Sequence, residues 1–221
     1  LCGGCASPIE PIEVAPGCPG QPIRGPEAYA DEPADQLIDD FETGDKHLSS
    51  TAFPSGGWVL GGDLSGDVLI AQTSQRCAAR GKYSGHFAAS GYKTWNNNWT
   101  AIFRLPTSNT ALPYDGSKWS AISFWAAFGA DNGAPFDVPL GVTTMDNAWN
   151  GGVCNGGCMD YYGVKVRFSN NWERYVVRLD QMQQSGTGSP QLAMRREALV
   201  GFILWPRQQF DLWIDDVRFE P

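Results

Sequence analysis

The sequence predicts an all-β fold, a two-sheet antiparallel β-sandwich of the jelly-roll kind behind an extended Pro-rich N-terminal tail, and three observations carry that expectation. Short apolar or alternating runs recur along the chain, each bounded by Gly, Asn or Pro, and runs of that length and period form strands joined by turns. No stretch keeps an apolar helical stripe for three turns, so helix is expected only as a short turn over 180–184. Composition agrees: of 221 residues, 42% are hydrophobic and 18% charged, with 26 Gly, 15 Pro and 9 Trp. That is a profile of short strands and tight turns, whereas a disordered chain is more charged and less aromatic.

Taken in order, residues 1–36 are rich in Pro, Gly and Ala and show neither the helix nor the strand period, which marks them as tail or linker. Residues 37–221 then suit one domain, since sandwiches of about 200 residues commonly form a single unit. The domain opens with a strand over 37–42 and closes with one over 210–219. Between them strands are expected at 68–71, 84–89, 100–105, 121–126, 162–168, 172–179 and 199–205. Ser-Asn-Asn at 169–171 reads as a hairpin turn between two of these. Short alternating strands in this number pack as two antiparallel sheets.

Charge narrows the partners. A formal net charge of -8 and a pI near 4.7 argue against nucleic acid, because tracking phosphates requires clustered Lys and Arg. No segment approaches the ~20 apolar residues of a membrane span, and no charged start followed by an apolar run marks a signal peptide, so the chain reads as a mature, soluble product. Six cysteines, Cys2, Cys5, Cys18, Cys77, Cys154 and Cys158, form an even set in Gly-rich surroundings. They read as disulfide cysteines of a secreted protein, with Cys154 and Cys158 placed to close a small loop and the connectivity of the rest open. Zinc is disfavoured, since the only histidines, His47 and His86, lack ligand-like spacing.

Three motifs then arrive in a recognisable order: Ile-Asp-Asp-Phe-Glu-Thr-Gly-Asp (38–45), Ile-Ser-Phe-Trp (122–125) and Asp-Leu-Trp-Ile-Asp-Asp-Val-Arg-Phe (211–219), with Cys-Met-Asp-Tyr-Tyr-Gly (158–163) and Trp-Glu-Arg-Tyr-Val-Val (172–177) among them. With these the chain resembles, over 37–219, the galactose-binding-like jelly-roll domains of bacterial extracellular proteins. It is similar in particular to family 11 carbohydrate-binding modules and CIA30-type domains. The scaffold serves sugars, protein partners and structural roles alike, so the resemblance speaks to fold more than to ligand.

The resemblance implies a structural Ca2+ where the first and last strands meet, with Glu42 and Asp215 at the matching positions and Asp40 and Asp216 nearby. Calcium favours such oxygens, and it relieves the repulsion among clustered carboxylates. The competing reading of the same residues is solvated strand-end charge with turn roles. Aromatic residues give the second signal, because the C–H face of a pyranose stacks on Trp or Tyr while amides bond its hydroxyls. Tyr92, Trp95, Asn97 and Trp99 form the densest such stretch, and the loop carrying Trp149 runs toward Tyr161 and Tyr162. Trp125 and Trp213, in alternating strands, are expected in the core.

No catalytic constellation is found. A Ser-His-Asp arrangement would rest on His47 or His86, neither of which accompanies a Gly-x-Ser-x-Gly elbow, and His86 reads as a structural strand residue. The expected function is therefore a non-catalytic extracellular carbohydrate-binding module that holds polysaccharide through exposed aromatic side chains, either secreted or attached to the cell surface. The alternative is a self-assembling structural subunit of a filament, sheath or surface layer. It would be joined to copies of itself through the cysteine-bearing N-terminal tail, which completes a neighbour's sheet edge or bridges to it. Leu1-Cys2-Gly3-Gly4-Cys5 also resembles a lipoprotein processing site.

Overall fold

Alternation along the apolar runs sorts the chain into two antiparallel sheets. They are described here from a computed structural model for residues 17–20, 33–53, 55–62, 68–90, 98–104, 112–147, 160–186 and 192–221. The strands are β1 (Leu37–Asp39), β2 (Gly57–Gly61), β3 (Val68–Ser74), β4 (Ser84–Ser90), β5 (Asn98–Ile102), β6 (Ala121–Phe128), β7 (Asp137–Thr144), β8 (Tyr162–Arg167), β9 (Glu173–Arg178), β10 (Leu199–Leu204) and β11 (Phe210–Glu220). One sheet runs β3-β4-β11-β6-β9, with β1 also paired to β11; the other runs β2-β5-β10-β7-β8.

The inward residues of the two sheets meet in one core. Phe124 of β6 packs on Phe202 of β10 across it, with ring centroids 5.5 Å apart, and Leu140, Val142, Leu204, Leu212 and Ile214 are fully buried around them. Burying each such side chain contributes roughly 1.5–3 kcal/mol, which is what holds the sheets face to face.

Several expectations are corrected. The opening strand stops at Asp39 instead of running to residue 42: Phe41 adopts a left-handed φ of 61°, which ends the extended backbone and turns its ring into the core against Trp58. Ser-Asn-Asn at 169–171 is not a hairpin turn. β8 pairs with β7 and β9 with β6, so this segment crosses between sheets. The short turn expected at 180–184 is a 3-10 turn at Leu179–Gln181. Two strands went unread, β2 and β7. In β7, Pro139 and Gly141 speak against a central strand, but Pro139 sits where pairing with β10 ends. Its carbonyl accepts from Trp205 N–H at 3.0 Å, while Leu204 and Leu140 form the last full pair.

A second apolar layer lies on the outer face of the six-stranded sheet. Trp213 stands opposite His86 and Ala127, and Trp125 opposite Asp215. With Trp172 they pack under Ala79 and the Cys18–Cys77 disulfide. Residues 17–20 thus lie on their own sandwich, where Gly20 N–H donates to Asn170 O at 3.0 Å and Gly20 pairs in parallel with Asn171. Trp125 and Trp213 are buried, as the alternation predicts, but in this outer layer and not between the sheets. Cys2, Cys5, Cys154 and Cys158 lie outside the described residues.

Candidate functional site

The strand-end carboxylates converge on a single turn. Asp215 Oδ2 accepts from the N–H groups of Ala79 and Arg80, both at 2.9 Å. Glu42 Oε1 accepts from those of Lys82 at 2.7 Å and Tyr83 at 2.9 Å. The two residues singled out by the resemblance therefore flank the 79–83 turn from opposite ends. Asp215 is fully buried, and its Oδ1 has no hydrogen-bond partner among the described residues. Burial, aided by the neighbouring Asp216, pushes its carboxyl well above the usual range. A carboxylate oxygen buried without a donor costs stability unless a cation or proton meets it.

Asp216 does not share that property. Its Oδ1 accepts from Arg218 Nε at 2.8 Å and its Oδ2 from the Arg80 guanidinium, so two arginines already do what a cation would. Asp40 caps its own turn, with Oδ1 accepting from Glu42 N–H at 3.1 Å. Among the described residues no three His, Cys, Asp or Glu side chains gather as a complete ligand set, and of the four acidic candidates Asp215 alone is fully buried with an oxygen that lacks a hydrogen-bond partner among the described residues. Among the described residues, the two non-glycine residues with left-handed φ, Phe41 and Asp216 (48°), sit at this junction. Such conformations cost roughly 1–3 kcal/mol each and persist where the surroundings impose them.

The aromatic candidates divide. Tyr92, Trp95, Asn97 and Trp149 lie outside the described residues. Trp99 is only 3% exposed, because β5 begins at Asn98 and the period of two turns Trp99 inward. There it lies 4.3 Å from Trp58 and 6.1 Å from Phe41, centroid to centroid, so its ring cannot face a glycan. Tyr161 remains at the surface, half-buried beside Trp205, with centroids 6.0 Å apart at 63°. Burial raises its phenol to about 12.

Trp205 was read as part of an apolar strand run, and the structure gives it another position. On β7 and β8, Leu140 pairs with Val164 and Val142 with Tyr162 on the core side, leaving Gly141 and Gly163 as an outward-facing pair. On β10, Ile203 faces outward opposite Gly141. The next outward position is Trp205, and its indole reaches back across β7 to cover Gly163. A Cβ at Gly163 would come within 2.6 Å of that ring. Glycines in strand interiors mark close approach of a ring, backbone or ligand, and here they let the indole lie against the sheet.

Gln183 pairs with Gly163 on the outer edge of β8 through two 3.0 Å backbone bonds, which puts its exposed amide on the same face. Further in, Thr100, Thr143 and Ile203 are buried, so the accessible part of this face is its β8 margin. Trp205, Tyr161 and Gln183 therefore form an aromatic shelf with an amide at its rim. The signal available in the sequence was the outward register of Gly141 and Gly163, which needs the strand pairing to be seen.

No family model and no curated protein matches the sequence. Among solved structures the chain is similar to the family 11 carbohydrate-binding module of the cellulosomal cellulase Lic26A-Cel5E of Clostridium thermocellum, at 12% identity over 84% of this chain and 93% of that one, TM-score 0.52. It is similar to a family 11 module from Clostridium thermocellum in complex with a β-1,3-1,4-mixed-linked tetrasaccharide, at 11% identity over 84% and 94%, TM-score 0.53. It also resembles a family 30 carbohydrate-binding module, at 10% identity over 84% and 86%, TM-score 0.55. At such identities the likeness is one of fold, and the fold is that of a carbohydrate-binding-module-like jelly-roll sandwich.

Proposed function

We propose that this chain is a non-catalytic extracellular carbohydrate-binding module that holds polysaccharide on aromatic side chains. The observation that carries the reading is the indole of Trp205, laid over Gly163 with Tyr161 and Gln183 beside it. A half-buried ring packed against a sheet offers a surface to the C–H side of a pyranose at little conformational cost, and a nearby amide both donates to and accepts from hydroxyls. The fold likeness supports the same class, and the Cys18–Cys77 disulfide is compatible with an oxidising, extracellular setting. Trp95 and Trp149 remain candidates for further stacking positions.

A structural calcium held by Glu42 and Asp215 belongs to the same proposal. Bound there, it would neutralise the buried Asp215 carboxylate and tie the first and last strands through the 79–83 turn, a stabilising and not a catalytic role.

The test is retardation in native gels cast with a panel of soluble plant and bacterial polysaccharides, run beside Trp205→Ala, Trp95→Ala and Trp149→Ala. Retardation by one glycan class, weakened about tenfold in Trp205→Ala, is expected from the loss of one stacked ring. Free migration of the wild type through every glycan would falsify the reading.

A further inference from the structure

Exposed cations stand beside the aromatic shelf. Lys165 follows Gly163 by two residues on β8 and faces outward with it. It pairs with Pro139, whose carbonyl receives the Trp205 N–H, so Trp205, Pro139 and Lys165 form one cross-strand row. Strands lie about 4.8 Å apart, and Lys165 is exposed. Its flexible stem is therefore long enough to reach the edge of the indole that covers the neighbouring Gly163.

Two further cations stand at the same end of the sheet. Arg207 is exposed in the turn two residues beyond Trp205. Arg167, next outward on β8, is held by Pro135 O at 2.8 Å and by Asp137 Oδ1 at 3.5 Å. Against these cations stand Asp137, which pairs with Arg167, and Asp131 in the 3-10 turn that leads into β7. At the other end of the shelf the nearest carboxylates are already committed. Asp160 Oδ1 and Oδ2 accept from the N–H groups of Ser185 at 2.7 Å and Gly186 at 3.0 Å, and Asp146 is paired with Arg195 at 3.3 Å. With Arg167 paired to Asp137, Lys165 and Arg207 are the exposed cations nearest in sequence and register to the stacking ring, in a chain of formal net charge -8.

We infer that the ligand of this shelf is an acidic polysaccharide whose uronate carboxylates meet Lys165 and Arg207 while the sugar ring stacks on Trp205. The inference rests on the carbohydrate-binding reading and deepens it to a ligand class. A uronate carries its carboxylate on the ring edge, so a ring lying flat on the indole directs that group sideways. There, a strand away, Lys165 supplies a compact, rotatable donor and Arg207 a planar fork. Neutral pyranoses leave both cations to water. The net negative charge elsewhere weakens long-range attraction of a polyanion, so discrimination has to come from contact at short range, where screening by salt is least complete.

The test measures binding by calorimetry of the full chain to three probes. They are oligogalacturonate, the same oligosaccharide with its carboxyl groups chemically reduced, and polyglutamate as an anion without sugar rings. Wild type, Lys165→Gln, the double variant Lys165→Gln/Arg207→Gln, and Trp205→Ala are compared. The expected result is preference for oligogalacturonate over its reduced form and little binding to polyglutamate. The uronate affinity should fall about threefold in Lys165→Gln and about tenfold in the double variant, on the scale of exposed ion pairs. Both substituted positions are exposed, so folding is preserved and melting curves serve as the control.

Equal or better binding of the reduced oligosaccharide, indifferent to both cation variants but lost in Trp205→Ala, overturns the uronate assignment and leaves the carbohydrate reading intact. Polyglutamate binding as tight as oligogalacturonate overturns it as well, since charge alone then suffices. Absence of binding to either sugar, together with free migration in every glycan gel, removes both.

Discussion

Removing the Cys18–Cys77 disulfide tests how the outer tryptophan layer is held. The two cysteines are 59 residues apart, and closing a loop of that length restricts the unfolded chain by about 4 kcal/mol on the loop-entropy estimate. For a domain of this size each kcal/mol moves the melting temperature by roughly 2–4 °C, so Cys18→Ala/Cys77→Ala should melt about 8–16 °C lower. The change should also be local. Trp125, Trp172 and Trp213 pack beneath the bridge, while the core between the sheets contains Trp58, Trp99 and Trp119. Loss of the bridge should therefore shift tryptophan emission to longer wavelength before the main transition. Calorimetry and fluorescence-monitored melting read the two effects separately. A melting temperature within about 2 °C of the wild type, on the same size scaling, with unshifted emission would refute the loop-closure reasoning. It would also show that the Gly20 pairing with Asn171 holds the segment without the bridge.

Gly85→Ala should destabilise the domain by roughly 1–3 kcal/mol in urea titration, because a Cβ there lies 2.6 Å from the Trp99 ring and 2.7 Å from Phe41; an unchanged midpoint would mean these rings can yield. Tyr161 should titrate late in ultraviolet absorbance, since burial raises its phenol to about 12. Its folded-state value then exceeds the unfolded one near 10. Its contribution to stability is accordingly present below about pH 10 and lost as pH rises toward 12, and a late step that persists in Tyr161→Phe would assign it to another tyrosine. For the calcium proposal, chelation should lower the melting temperature of the wild type and not that of Asp215→Asn. Identical curves with calcium and with chelator in the wild type would dismiss the ion.

What the sequence made legible follows the range of the interactions involved. Period-two runs such as those at β6, β10 and β11 declare themselves, because each inward residue is apolar whatever its partner. β7 did not, since Pro139 and Gly141 break the local pattern and make sense only beside β8 and β10. The Ser169–Asn171 segment was misread for the same reason: its residues suit a hairpin, and only the pairing of β8 with β7 and β9 with β6 shows that the chain changes sheets. That Glu42 and Asp215 flank one turn, and that Asp216 is paired with two arginines, one from the 79–83 turn and one from its own strand, follows from contacts distant in sequence that no local pattern shows.

Tryptophan shows why the site was harder to read than the fold. Of 9 in the chain, Trp58, Trp99 and Trp119 fill the core, Trp125, Trp172 and Trp213 lie under the disulfide, and Trp205 lies over a glycine. Local sequence does not separate these three situations. Trp99, flanked by Asn98 and Thr100, looks exposed and is buried; Trp205, closing the run Leu-Val-Gly-Phe-Ile-Leu, looks buried and is half at the surface. In each case the register decides. Trp99 pairs with the fully buried Leu204 on the core side, and Trp205, one residue beyond Leu204, must face the other way. A one-residue slip of β10 against β5 and β7 would bury Trp205 and expose Phe202 and Leu204, which are fully buried here. The hydrophobic cost of that exchange fixes the register, so the aromatic shelf is held in place by the same residues that hold the sandwich together.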